Sequence, residues 1–308
     1  MKDLPSTPHS AGARLAVVTP SYHPDFELCV DLNRTVLDMT GADVRHHIIV
    51  PGQDLREFSS LAGSRTIVHD ARDFLPASFH KLPRLNVWWN ASRPWPPVRG
   101  WIAQQVIKLS AVASLREECA LLLDSDSELI RPVGAGTFMS GGDVVMYRKP
   151  GGVDSSLPGH RLWHVSGRAL LGLTPPPQGD LTDYICWPCV WEPQVVRDML
   201  AHVQGAAGRP WSTAVASQLH FSEMMLYGLY ADEVRGGTNA VTNEMQGIVY
   251  SEERPLDYAE ISQLLHAGSH DAVAVMLSAK ARIPVATRRR ALADFRASLA
   301  TTDKGAEQ

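Results

Sequence analysis

The chain reads as an α/β fold: one domain with a mostly parallel central sheet flanked by helices. Three observations predict it. Short apolar runs alternate with amphipathic helical stretches from residue 14 onward. One of the longest apolar runs, Cys119–Leu123, is followed by Asp124-Ser125-Asp126. The composition is that of a folded globule, with 44% hydrophobic and 20% charged residues over 308 positions. The expected ordered domain spans 14–300, between disordered tails at 1–13 and 301–308.

Arg14–Thr19 is the first expected strand, stopped by Pro20, and Pro24-Asp25 opens a helix with Phe26, Val30, Val36 and Leu37 at roughly helical spacing. His46–Val50 and Thr66–Val68 follow as strands, giving the βαβ rhythm of a parallel sheet. Asn86–Gly100 holds Trp88, Trp89, Trp95 and three prolines, and reads as an aromatic loop. Gly100 releases a helix to about Arg116, with Ile102, Val106, Leu109 and Ala113 on one stripe. Ala120–Leu123 is a buried strand and Asp143–Arg148 another. Thr174–Asp180 is a loop or an internal boundary. Glu192–Gln204 and Phe221–Tyr230 are helical, Ala272–Leu277 is a late strand, and Thr287–Ala300 is a basic amphipathic helix. Its Arg288-Arg289-Arg290 run reads as a solvated face.

Net charge of −4 offers no basic surface for nucleic acid, and no apolar run approaches a membrane span. Four cysteines make no disulfide framework, and Cys186-Trp187-Pro188-Cys189 reads as ordinary packing because zinc would need a second pair. Met1–Arg14 lacks the apolar stretch of a secretory signal. Asn90-Ala91-Ser92 matches a glycosylation sequon and means little without secretion. A cytoplasmic location is the expectation.

The chemistry concentrates in Gln104-Gln105-Val106-Ile107-Lys108-Leu109 and in Asp124-Ser125-Asp126. Carboxylates two residues apart at the end of a buried strand project to one side if the chain stays extended, and strand ends are where open α/β sheets hold ligands. Hard oxygen donors there suit Mg²⁺ or Mn²⁺, with Asp124 and Asp126 as ligands. The cation would turn repulsion of a diphosphate into attraction. Lys108, at i+3 from Gln105 and i+4 from Gln104, suits a β-phosphate or sugar hydroxyls. Glu223 and Tyr227 share a helix face; in an inverting enzyme Glu223 would be the general base, in a retaining one it would position the acceptor or stabilise positive charge. Trp88, Trp89, Trp95, Trp187, Trp191 and Trp211 fall near element ends, where aromatic faces suit sugar rings.

Gln104 to Pro132 resembles the donor-site segment of GT-A fold glycosyltransferases, notably the retaining glycogenin-like group. Further pieces resemble a bacterial family of uncharacterised glycosyltransferase-like proteins: Thr19-Pro20-Ser21-Tyr22 with Asp25, His46–Pro51 with Asp54, Gly100-Trp101, Arg131-Pro132, and Phe221-Ser222-Glu223 with Leu226-Tyr227-Gly228. The resemblance implies a Rossmann-like GT-A domain with a nucleotide-sugar half (14–132), an acceptor half (133–285) and a C-terminal helix (286–300). It implies a metal-dependent glycosyltransferase that moves a sugar from a nucleoside-diphosphate donor, a UDP-sugar favoured, to a small-molecule or saccharide acceptor, with a tilt toward retention. Thr19, Pro20, Tyr22 and Asp54 would line the nucleoside pocket. Asp124 and Ser125 would meet the ribose or metal shell, Asp126 would ligate the metal, and Lys280 would bind phosphate alongside Gln104, Gln105 and Lys108. The late strand lacks the family's metal-binding His, leaving His266, His270 and Asn243 as candidates for a third ligand. That departure keeps a non-catalytic nucleotide-sugar binder open. An aspartyl phosphohydrolase is the remaining alternative, weakened by Glu128 where a small residue is usual and by the motif's place late in the chain.

Overall fold

The structure is a computed structural model that describes residues 14–81, 87–91, 95 and 97–306, with side chains to Leu299. The expected tail at 1–13, Asn86, the sequon's Ser92 and 307–308 lie outside the described residues. Strand β1 (Leu15–Pro20) leads through a single 3-10 turn into helix α1 (Phe26–Met39). The buried face of α1 is Cys29, Leu32 and Val36, one helical stripe; Val30 and Leu37 are only half-buried, and Phe26 packs edge-on against Phe58. Strand β2 (Arg45–Val50), helix α2 (Leu55–Phe58) and strand β3 (Thr66–Asp70) follow.

Strands β4 (Phe79–Lys81), β5 (Val87–Asn90) and β6 (Val98–Arg99) form an antiparallel sheet where an aromatic loop was expected. Val-Trp-Trp favours strand, and the three prolines fall between β5 and β6, where none has to donate to the ladder. Helix α3 (Gly100–Ser114) is buried from Gln105 onward, not on one stripe alone. It feeds β7 (Cys119–Leu122), after which the chain turns into β8 (Ser127–Leu129).

The expected strand at Asp143–Arg148 divides. Strands β9 (Met139–Ser140) and β10 (Asp143–Val144) pair with each other, Val145 donates to Phe138 O, and β11 (Met146–Tyr147) joins another sheet. Strand β12 (Lys149–Val153), helix α4 (Pro158–Leu170) and strand β13 (Leu181–Asp183) precede β14 (Cys189–Trp191). Helices α5 (Pro193–Ala207), α6 (Trp211–Ala216) and α7 (Glu223–Leu229) come next. Strands β15 (Val241–Thr242) and β16 (Gly247–Tyr250), helix α8 (Tyr258–Ala267), strand β17 (Ala274–Leu277) and helix α9 (Val285–Ala306) complete the chain. Residues 301–306, expected as tail, continue α9.

The central sheet runs β14-β7-β1-β2-β3, parallel except for the antiparallel edge strand β14. Alternate residues of β1 and β7 enter two cores. Ala16, Val18, Ala120 and Leu122 face α3, α5 and α7; Leu15, Val17, Cys119 and Leu121 face α1 and β8. A strand covered on both faces needs apolar residues at every position, which explains the unbroken run ahead of the aspartates. A second sheet, β16-β17-β8, brings the end of β17 beside the turn after β7.

Helix α9 corrects the solvated-face expectation. Arg288 is only 2% exposed; it donates to Leu277 O at 2.6 Å and makes a very short contact to Asp126 O. Arg289 grips both carboxylate oxygens of Asp31 and reaches Glu27. Only Arg290 of the three is mostly exposed. The cause is tertiary: α9 crosses the carbonyls of the turn before β8 and of the end of β17, which need donors once buried.

Candidate functional site

The backbone places the site. Leu123 N still bonds Val18 O, extending the β7 ladder one residue, and then Ser127 N bonds Asp124 O to close a turn. The aspartates therefore do not leave as an extended pair. Asp124 turns toward α3 and α7, while Asp126 turns toward β17. Ser125, between them, donates to Asp25 Oδ2 at 3.0 Å from the start of α1. The sequence marks Asp25 only as the opening of a helix and as part of the resembling Thr19-Pro20-Ser21-Tyr22 piece, and gives it no contact with Ser125.

Lys108 is the centre of one half. Its Nζ lies 3.0 Å from Asp124 Oδ1 and 3.7 Å from Glu223 Oε1. Lysine in mid-helix would ordinarily reach water, but α3 is enclosed and the stem is buried. Burial works against its charge; the Asp124 and Glu223 carboxylates outweigh that and hold its pKa above the usual value. Burial pushes the Glu223 carboxyl up, with Lys108 opposing. Glu223 opens α7 after Ser222, whose hydroxyl accepts from Met225 N as an N-cap. Gln105 Oε1 accepts from Glu223 N at 3.0 Å, tying the helices together, and its Nε2 is buried without a hydrogen-bond partner. Gln104 is half-buried on the same helix.

Asp126 forms the other half. Its Oδ2 accepts from Ala279 N at 2.8 Å, while Oδ1 is buried with no hydrogen-bond partner. Burial pushes its pKa up to about 6, opposed by the Ala279 hydrogen bond and Arg288 and reinforced by Asp124 and Asp25. Lys280, next to Ala279, is exposed and pairs with Glu253 at 3.6 Å.

Not every predicted residue reaches this point. Thr19 is fully buried and bonds His46 Nε2 at 2.9 Å; His46 Nδ1 meets Asn33 Oδ1, which also accepts from Thr66. Pro20 is buried as well, so of the Thr19, Pro20 and Tyr22 set only Tyr22, 50% exposed, opens to solvent. Strand burial on both faces turns the first two inward. Asp54 accepts from His23 N at 3.0 Å and, with His23, Gln53, Arg56 and Glu57, lines an open groove of about 580 Å³ at the ends of β1 and β2. His266 bonds Ser262 O and packs against Phe295, His270 sits exposed beside Asp271, and Asn243 is exposed after β15. None of these three contacts Asp124 or Asp126, and among the described residues no three His, Cys, Asp or Glu gather as a metal-holding group. The orphaned Asp126 Oδ1 and the Asp124 carboxylate nevertheless fit a hard cation that takes its remaining ligands from water and phosphate.

Residues 31–299 match DUF6492, a family of unknown function. The chain belongs to this family. No curated protein matches it in sequence. The DUF6492 match includes Lys108, Asp124, Asp126, Glu223 and Lys280, and it excludes β1 and Asp25. Among the described residues no helix is long and apolar enough to cross a membrane. The four cysteines are free, and burial pushes the Cys29 and Cys119 thiols up to about 12, so they stay protonated and inert.

Proposed function

We propose that the protein is a metal-dependent glycosyltransferase of GT-A type, using a nucleoside-diphosphate sugar and an acceptor hydroxyl. The observation that carries this reading is the Lys108 ammonium held between Asp124 and Glu223 at the carboxyl end of a buried parallel sheet, beside the orphaned oxygen of Asp126. A fixed cation there stabilises negative charge as a diphosphate departs, without reorganising during the step. Asp124 and Asp126 would hold a divalent cation, which supplies further charge neutralisation. Glu223 acts in this reading as a positioning residue, since it is buried beneath Lys108 and fixed by Gln105. In this reading Tyr22, Asp54 and the groove beside them take the nucleoside, and Lys280 would exchange its exposed pair with Glu253 for a phosphate.

A second reading, nucleotide-sugar binding without transfer, is favoured by one observation: no third side-chain ligand joins the aspartates among the described residues. The test is a thermal-shift panel of UDP- and other nucleotide sugars with and without Mn²⁺, followed by product analysis with candidate acceptors. A ligand at about 100 times its Kd adds about 2.7 kcal/mol of stability. Stabilisation that requires Mn²⁺ and vanishes in Asp126→Ala is expected. Stabilisation indifferent to both metal and Asp126 would overturn the proposal, and binding without turnover would select the second reading.

A further inference from the structure

The helix face that carries Gln104, Gln105 and Lys108 does not end there. Positions 101, 104/105 and 108 recur at i, i+3/i+4 and i+7, so Trp101 shares that face about 10 Å along the axis, toward the helix N-terminus. Trp101 is 43% exposed and packs against Trp163, ring centroids 5.8 Å apart and inclined at 41°. Trp163 in turn stacks on His160 at 4.7 Å. His160 Nδ1 lies 3.2 Å from both carboxylate oxygens of Asp183. An ionised carboxylate only accepts, so Nδ1 donates to it, and Nε2 is left with no partner among the described residues.

Packing brings this ledge to the Lys108 cluster. A Cβ at Gly167 would meet Leu229 and Leu226, and Arg168 pairs with Glu233 beyond them. Helix α4 therefore packs against α7 at Gly167. Trp163, one turn before Gly167, meets Trp101 at the start of α3, the helix that carries Lys108. An exposed indole supported from below by a second one is apolar surface left in water, beside an imidazole nitrogen left open for a hydrogen bond. Those features suit a neutral ring with one apolar face and a hydroxylated rim.

We propose that Trp101, Trp163 and His160 form a saccharide subsite, with the C–H face of a neutral pyranose on Trp101 and a ring hydroxyl hydrogen-bonded to His160 Nε2. Its role as the acceptor subsite rests on the glycosyl-transfer reading; binding of the saccharide does not.

The test uses the full chain without metal or nucleotide sugar. Methyl glycosides of glucose, galactose, mannose and N-acetylglucosamine, with maltose, lactose and free uridine, are titrated and read by saturation-transfer NMR. At least one saccharide is expected to bind saturably through its C–H face. Trp101→Ala, checked for retained fold by circular dichroism, should weaken it about tenfold, the loss of one aromatic stacking face. His160→Gln should weaken it less, and Arg290→Ala, on the exposed side of α9, should leave it unchanged. No saturable saccharide, affinity unaltered in Trp101→Ala, or uridine binding in place of saccharide would each overturn the proposal. Because the donor is absent, failure of the Mn²⁺-dependent shift leaves this result standing, and the converse holds.

Discussion

Lys108 Nζ sits 3.0 Å from Asp124 Oδ1, a contact that joins the middle of α3 to the end of β7 and leaves Glu223 as the lysine's second, fully enclosed partner. Removing the lysine would strand a buried carboxylate. Lys108→Met is expected to cost about 3 kcal/mol, measured by urea unfolding. The double variant Lys108→Met/Glu223→Gln should recover most of the loss. No recovery would mean that the cost lies in packing and not in the unpaired charge.

Asp126 sets a pH dependence that can be read without metal. Its folded pKa, about 6, lies above that of an exposed aspartate, so between roughly pH 4 and pH 6 the native chain holds a proton that the unfolded chain has lost. The contribution is present below that window and disappears as pH rises through it. In EDTA, Asp126→Asn should therefore gain on wild type by about 2 kcal/mol between those limits. A difference independent of pH would place the carboxylate in water.

The arginine run separates by burial. Arg288→Met leaves Leu277 O and Asp126 O without their donor and exposes the charge of Glu128, which is fully buried beside Arg296 as well. A loss of about 3 kcal/mol is expected. Arg290→Ala, which gives up only an exposed pair with Asp294 and a contact over Tyr258, should stay within about 0.5 kcal/mol. Equal effects in chemical unfolding would contradict the docking of α9.

Thr19 belongs to a buried network. Burial lowers the His46 pKa to about 3, so the ring is neutral, donates to Asn33 and accepts from Thr19. Thr19→Val should cost about 1–2 kcal/mol by orphaning His46 Nε2. Any nucleotide-sugar thermal shift should keep its wild-type increment, since the hydroxyl faces the core. A lost increment would return Thr19 to the binding surface.

The sequence by itself determined the parallel sheet, because strands buried on both faces must be apolar throughout and their ends must be polar. It also marked Lys108, Asp124, Asp126 and Glu223, each an ionisable residue set against an apolar run. Tertiary structure alone decided which of these meet. The turn at Ser125-Asp126 sends the two aspartates to different neighbours, a choice made by Lys108 on one side and Ala279 N on the other, both distant in sequence. The same reason hid Arg288 and Asp25. A periodic pattern reports whether a face is buried by an element's own amphipathicity, but not whether another element's carbonyls or hydroxyls will arrive to use its charge.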